Sequence, residues 1–578
     1  MAFNNLPIDA LKKKIDEVIR FLSISLSIAN AHTVDFYTRD VWSTFISASP
    51  DEVLRAVNSS HDRTGAAEEE TNTTFGFCNT TKKLLDVPGL VRAAKAHSLS
   101  GLEVCVHLEE LMDSLRLLTG NTTAGVSIGE IWDRSVPDEF MNCKKAHEVR
   151  AMSEVVNSLA KYCKVKQVID VGSGKGYLCS FLSMQFNLQV FGIDSSSTNT
   201  HGAQERNRKL KKFSRAYQKN NRAMKNHEPS NNAGDGTTED KGLHVAPSES
   251  CASQEQVTGD ISPSNKGIDC TVDQNDCDAE SDFLNMLSLD VVEDGSPRVH
   301  PSQLSEEEKE KRKRENLERK AREGKRNGSD DSLFSPLTSY VTAETELKML
   351  ITELEDAVLV GLHTCGDLAP STLRMFSAKN ELRAVCSVGC CYHLLSEEFD
   401  PDRQGCVDGV CGFPMSQFLK DQSCFCGRNA RMSACLALER VSAGGGLPME
   451  SLFYRAVLHV ILRDHYDCYK SEKRVGNVYS KASSFVDYVR RALRKLDLDD
   501  AKLSDSIIQS YHEHYSPRMN EMVAFNMLKV TLAPCIEGLI LLDRLCYLKE
   551  QENVSHSALV QLFDPLQSPR CYAVVGIK

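Results

Sequence analysis

Leu11, Ile15, Val18, Ile19 and Leu22 recur at helical spacing, and they open a stretch, residues 1–135, whose pattern predicts helices. Ser49-Pro50-Asp51-Glu52 reads as a helix start, with a capping hydroxyl, a proline in the first turn and acids behind it, and Leu85 to Leu118 carries further helical periodicity. Phe21 to Ala31 could pass for a signal core. Asp16-Glu17 interrupts its charged lead, however, and the apolar positions of residues 9–29 fit one helix face, so the pattern predicts a core helix. From Val168 the rhythm changes. Val168-Ile169-Asp170-Val171 is a buried strand and Gln189-Val190-Phe191-Gly192-Ile193 a second, ending in Asp194. Leu337 to Val341 predicts a short strand and Ala343 to Leu354 a helix. Ala357 to Leu362 is a strand running into His363-Thr364-Cys365-Gly366-Asp367, and Ala384 to Gly389 is another, running into Cys390-Cys391-Tyr392-His393. Five strands alternating with helices predict a doubly wound α/β sheet. Ser557 to Phe563 and Tyr572 to Ile577, joined by Asp564-Pro565-Leu566-Gln567-Ser568-Pro569, predict a closing hairpin whose last strand is antiparallel.

Between Tyr217 and Phe334 the only aromatic is Phe283, and Ser, Asn, Asp, Glu and Lys dominate. Such a segment buries too little apolar surface to offset chain entropy, so residues 202–332 read as a disordered, charged insertion in the loop between strands two and three. It divides the sheet domain into 136–201 and 333–420. Residues 421–550, mostly helical, read as a substrate-facing cap, and 551–578 as the closing hairpin. A net charge of −12 does not suit a protein that coats nucleic acid. The 21 cysteines, with no secretory start, read as thiols of a reducing compartment, cytoplasmic or nuclear and not secreted. No run of 18 uncharged apolar residues is present, so no membrane span is expected.

Chemistry concentrates in Asp170-Val171-Gly172-Ser173-Gly174-Lys175-Gly176. A tight glycine loop between a buried strand and a helix start cradles a nucleoside cofactor, because the missing Cβ atoms let backbone approach the ligand. The loop lacks the gap and hydroxyl of a phosphate loop, and its even glycine spacing departs from the dinucleotide fingerprint. Asp194, at the end of the second strand, sits where an acid accepts both ribose hydroxyls. In an open α/β sheet the ligand lies beyond the carboxyl ends of the strands, which gathers Asp170 to Gly176, Asp194 to Ser196, the turn after Val341, His363 to Asp367 and Cys390 to His393.

The acidic-x-Gly-x-Gly-x-Gly pattern resembles motif I of class I S-adenosyl-L-methionine-dependent methyltransferases. That resemblance implies a Rossmann-like sheet and S-adenosyl-L-methionine as cofactor. Asp170 would orient the methionine ammonium, Gly172, Ser173, Gly174 and Gly176 would lie under the methionine moiety, Asp194 would hold the ribose, and Lys144 would meet the methionine carboxylate, or else simply belong to a solvated helix start. His363, Cys365 and Asp367 stand where amino-methylating nucleic-acid enzymes carry Asn/Asp-Pro-Pro-Tyr/Phe, which argues against that chemistry. Cys365 resembles the cysteine of RNA cytosine-C5 enzymes, but Thr364 stands where they place proline, so a buried thiol is the plainer reading. His363, Asp367, Tyr392 and His393 are the polar groups expected to carry catalysis. Cys390, Cys391, His393, Cys406, Cys411, Cys424 and Cys426 crowd together, yet their spacing is not that of a zinc motif, and no metal ligand is assigned.

The ordered stretches together resemble the methyltransferase-like protein 25 family. The resemblance rests on Lys144-Lys145-x-His147-Glu148, the glycine loop, His363-Thr364-Cys365-Gly366-Asp367-Leu368, Gly389-Cys390-Cys391-Tyr392-His393, Gly412-Phe413-Pro414-Met415-Ser416, and Phe563-Asp564-Pro565 with Ser568-Pro569-Arg570. It implies a methyltransferase of unassigned substrate. The double cysteine with its following histidine also resembles transfer-RNA 2′-O-methyltransferases of the acceptor stem, which favours RNA over protein as acceptor. The alternative is a cofactor-binding scaffold that has lost catalysis.

Overall fold

The computed structural model describes residues 6–59, 73–118, 141–225, 333–400, 410–436, 438–443, 447, 449–466, 475–476 and 478–578. Strands β1 (Thr73–Thr74) and β2 (Phe77–Cys78) make a small antiparallel pair. The other strands are β3 (Val106–His107), β4 (Gln167–Val171), β5 (Gln189–Asp194), β6 (Ser335–Thr338), β7 (Ala357–Cys365), β8 (Leu382–Cys390), β9 (His556–Gln561) and β10 (Tyr572–Ile577). They form one sheet in the order β3-β9-β10-β8-β7-β4-β5-β6. Only β10 is reversed, antiparallel to both β8 and β9, and every other pair is parallel. The predicted doubly wound sheet and closing hairpin are therefore present. The edge strand β3, drawn from the amino-terminal region, was not expected; two residues give no readable period.

Period-two alternation divides the core. Val168, Val190, Val358, Val360, Ala384, Cys386 and Val575 face one side, where helices Cys143–Cys163 and Tyr177–Phe186 cover them. Ile169, Phe191, Leu359, Val385 and Val574 face the other, in a core shared with Leu11, Ile15 and Val18 of helix Ile8–Asn30 and with helix Met519–Lys549. The amino-terminal helices and the sheet thus bury one another.

Several expectations are corrected. Residues 202–211, read as the start of the disordered insertion, belong to helix Ser197–Lys225 and pack on the fold. Their basic composition suggested solvated chain, but Ala203 and Leu210 are buried at the β6 edge and the Asn207 side-chain amide donates to the Phe334 carbonyl at 2.8 Å. The rest of the predicted insertion, residues 226–332, lies outside the described residues. The expected helix Ala343–Leu354 shrinks to Leu347–Leu350, because the Thr345 hydroxyl accepts from the Thr342 backbone N–H and competes with the helical ladder. The expected cap is in large part not a cap. Helix Met519–Lys549 is apolar nearly all round and buried along its length, packed on helix Ile8–Asn30 and β9. Its continuous helical run contains a window of mean hydropathy 1.5, apolar and long enough to cross a membrane by composition alone, and 89% of that window is buried inside the protein. It is a core helix.

Candidate active site at the carboxyl ends of the central strands

The chain leaves β4 into the glycine loop, and the loop is built from left-handed backbone: Gly174 has φ of 55° and Gly176 of 71°. A Cβ on Gly176 would lie 2.4 Å from the Phe334 ring, so that glycine is fixed by packing. A Cβ on Gly174 would meet nothing within 4 Å. The loop therefore presents bare backbone to open space at Gly174, a surface that a bound molecule can approach closely. The expected ribose acid is adjacent. Asp194 accepts from the Gly174 N–H at 3.0 Å, from the Ser196 N–H at 2.8 Å and from the Asn199 side-chain amide at 3.1 Å. The end of β5 and the glycine loop are thereby locked to one another.

Asp170, the last acid of β4, is 2% exposed. Its Oδ2 accepts from the Cys179 thiol at 3.1 Å, while Oδ1 is buried without a hydrogen-bond partner among the described residues. Burial, reinforced by the charge of Asp194 and opposed by the Cys179 hydrogen bond, raises this carboxyl to about 7. The carboxyl thus keeps an unspent, solvent-shielded acceptor where β4 gives way to the glycine loop.

Opposite this loop, Glu148 gathers a polar cluster that sequence reading missed. It sits on the helix leading into β4 and is fully buried. His363 Nε2, near the end of β7, lies 3.1 Å from Oε2, and the Ser568 hydroxyl, from the turn between β9 and β10, donates to Oε1 at 2.7 Å. Lys144 and Lys145 approach at 3.8 and 3.7 Å. Burial by itself would raise the Glu148 carboxyl, but His363 and the two lysines outweigh it and hold it at about 2. Lys144 is thus paired within the protein, one helical turn before its partner. Next to Glu148, His147 Nε2 accepts from the Asp564 N–H at 3.0 Å and ties the same helix to the hairpin turn. The signal for Glu148 was the acid four residues after Lys144, in a motif noted only as a family mark.

The four residues expected to carry catalysis separate. His363 alone, its side chain 30% exposed, combines access with a defined orienting partner. Asp367 spends Oδ1 on the Ser396 N–H at 2.9 Å, clasping the loops after β7 and β8, and burial raises its carboxyl. Tyr392 is turned inward: it is 1% exposed, its hydroxyl donates to Glu537 at 2.8 Å, and the guanidinium groups of Arg544 and Arg570 each lie 5.7 Å from its ring. A left-handed turn at Cys391 (φ of 51°) redirects it from the expected ligand face into the core. His393 is 6% exposed, its Nδ1 is 3.9 Å from the Cys435 sulfur, and burial lowers its pKa. Cys365 lies at the strand end with its sulfur 3.0 Å from that of Cys390. Thiols donated by Cys390 and Cys391 hold Cys365 well below the ordinary cysteine range.

Residues 144–398 match the family model described as a methyltransferase domain, from the Glu148 helix to just beyond β8. Across 98% of its length the chain is 48% identical to a human protein named "Probable methyltransferase-like protein 25", covering 97% of that protein. The mouse protein of the same name is 48% identical over 98% of the chain and 96% of its own length. The chain belongs to the methyltransferase-like protein 25 family. No solved structure matches it. In this member of the methyltransferase-like protein 25 family, the matched domain supplies Asp170, the glycine loop, Asp194, Glu148 and His363. Ser568 comes from outside it, on the turn of the carboxyl-terminal hairpin.

Proposed function

We propose that the protein is an S-adenosyl-L-methionine-dependent methyltransferase whose site lies at the carboxyl ends of β4, β5 and β7, where the glycine loop meets the Glu148–His363 pair. The observation that carries this reading is the open backbone of Gly174, tied to Asp194, in the loop that follows Asp170, whose Oδ1 has no hydrogen-bond partner among the described residues. It fits a ligand that brings an ammonium group to the end of β4, and Asp194 stands where the ribose hydroxyls of the same ligand would be held. When bound, S-adenosyl-L-methionine supplies an electrophilic methyl on a sulfonium. The protein's own work is then to position the acceptor, exclude water and receive a proton where the acceptor must lose one.

His363 is the residue we assign to proton transfer. Glu148 fixes one of its ring nitrogens, a carboxylate–imidazole arrangement that sets ring orientation. Ser568 and the two lysines in turn hold Glu148, so the hairpin turn is part of the site. Asp367, Tyr392 and His393 are read as positioning residues of the loops that frame it. For the acceptor we read RNA ahead of protein, on the likeness of Cys390-Cys391-Tyr392-His393 to the transfer-RNA enzymes.

The test is twofold. Purified full-length chain is titrated with S-adenosyl-L-methionine and, separately, NAD while thermal unfolding is followed. A ligand at about 100 times its Kd raises stability by roughly 2.7 kcal/mol. Stabilisation by the first and not the second is expected, and no shift at millimolar S-adenosyl-L-methionine on folded protein overturns the reading. Labelled methyl transfer into RNA and protein fractions of a knockout extract then identifies the acceptor class. Binding without transfer into either fraction leaves a cofactor-binding scaffold.

A further inference from the structure

Cys365, Cys390 and Cys391 bring their sulfur atoms within 4.8 Å of one another. The topology explains how. Cys365 and Cys390 are the last residues of neighbouring parallel strands and are register partners. Consecutive strand residues normally point to opposite faces, which would part Cys391 from Cys390. Cys391 instead adopts left-handed backbone, φ of 51°, a conformation that a residue with a Cβ rarely takes. That turn is what places a third sulfur beside the first two. Cys424 and Cys426, from the same cysteine-rich stretch of sequence, take no part, and the Cys426 N–H donates to Glu397 at 2.8 Å.

We propose that Cys365, Cys390 and Cys391 bind a zinc ion as three thiolates, at the carboxyl ends of β7 and β8. Sulfurs around a tetrahedral zinc at a bond length of about 2.3 Å lie roughly 3.8 Å apart, so the Cys365–Cys390 pair would open by about 0.8 Å to take the ion; the pair stands at 3.0 Å and all three sulfurs within 4.8 Å of one another. Soft thiolates select zinc over hard cations such as magnesium or calcium. A second observation concerns charge. Arg544 is buried, within Coulomb range of Tyr392, Asp543, Cys390 and Asp367, and its Nε and Nη2 have no hydrogen-bond partner among the described residues. Its nearest nitrogen lies 2.2 Å from where a Cβ on Gly389 would be. Three thiolates on a dication leave one net negative charge, which this guanidinium would balance. The site supplies three protein ligands. His393 and Cys435 approach each other at 3.9 Å but stand outside the three-sulfur group. Cys365 is exposed, so the fourth position faces outward and is filled by water or by a donor atom of the acceptor.

The experiment uses the full chain purified under reducing conditions without chelator. Metal analysis by plasma mass spectrometry is expected to find one zinc per chain. Cobalt(II) added to chelator-stripped protein is expected to give the near-ultraviolet thiolate-to-cobalt charge-transfer band of a thiolate-rich tetrahedral site. Cys365→Ser, the exposed ligand and the one whose exchange disturbs packing least, should lose zinc and weaken that band while the far-ultraviolet spectrum is unchanged. Cys424→Ser should keep both. Absence of zinc together with no cobalt band on the wild-type chain overturns the proposal. So does full zinc retention in Cys365→Ser, or a Cys365–Cys390 disulfide found by non-reducing peptide mapping of the metal-free protein. The cobalt arm needs no variant, so a mutant that fails to fold does not shield the proposal, and neither arm depends on binding of S-adenosyl-L-methionine.

Discussion

Asp170 shows how one buried carboxyl links ligand and stability. Unfolded, it titrates at the model-peptide value of 3.8, and folded at about 7. Between those values the native chain keeps a proton that the unfolded chain has lost, so this group's contribution to stability falls as pH rises through that window. A ligand ammonium needs the ionised form. Affinity for S-adenosyl-L-methionine should therefore rise with pH below about 7, by up to tenfold per unit, and level off above it. Asp170→Asn should bind more weakly and lose that slope, as calorimetry at pH 6, 7 and 8 would show. Equal affinities at all three pH values for the parent chain would remove the ammonium from Asp170. A second prediction concerns Glu148. Glu148→Gln keeps the shape but removes the charge that orients His363, and should lower methyl transfer by about 10²-fold or more while changing cofactor affinity little. The pH profile of the residual activity should shift, since the partner of the imidazole has changed; an unshifted profile would make Glu148 a purely structural acid. Asp170 was legible in the sequence because an acid inside an apolar strand has few structural uses. Glu148 was not, because an acid on a helix bearing lysines resembles any solvated face, and only its burial marks it.

At the scale of elements, the strands were the most legible features. Val168–Val171 and Ala357–Leu362 are apolar on both faces, and a buried parallel strand needs no partner to be recognised. Helix Ser197–Lys225 was hidden by its charge, since three or four inward positions among many basic ones carry little signal. Its contact with the fold has a consequence for the site. Phe334 is 2% exposed and its carbonyl accepts from Asn207, while its ring occupies the space above Gly176. One residue therefore supports both: its ring backs the glycine loop, and its carbonyl holds the helix that follows β5. Phe334→Ala should cost about 3–5 kcal/mol, read as a lower denaturant midpoint, and should also weaken S-adenosyl-L-methionine binding. Loss of stability with unchanged affinity in the surviving folded fraction would show that the loop holds its shape without the ring.

For the whole molecule, the sequence suggested separable parts and the structure joins them. An amphipathic pattern such as Leu11, Ile15, Val18 and Leu22 says that one face of a helix is buried but not against what, and here the partner lies some five hundred residues away, in helix Met519–Lys549. Lys14 adds a hydrogen bond to the Leu102 carbonyl, Asn30 reaches the Cys426 carbonyl, and Lys529 lies beside Thr33 at 3.4 Å. The helix Met519–Lys549 also packs beneath β9 and β10, and the turn those strands make carries Ser568 to Glu148. The amino-terminal helix thus packs on the helix that underlies the hairpin carrying Ser568 to the candidate site. Three consequences should appear together if this is one cooperative unit. Ile15→Ala should lower stability by about 2–5 kcal/mol, deletion of residues 1–59 should leave no cooperative unfolding transition, and saturating S-adenosyl-L-methionine should raise the melting of the whole chain in a single step. Calorimetry resolves the matter. Two separate transitions, only one of them moved by ligand, would return the amino-terminal helices to an independent domain and break the mechanical link from Ile15 to Ser568.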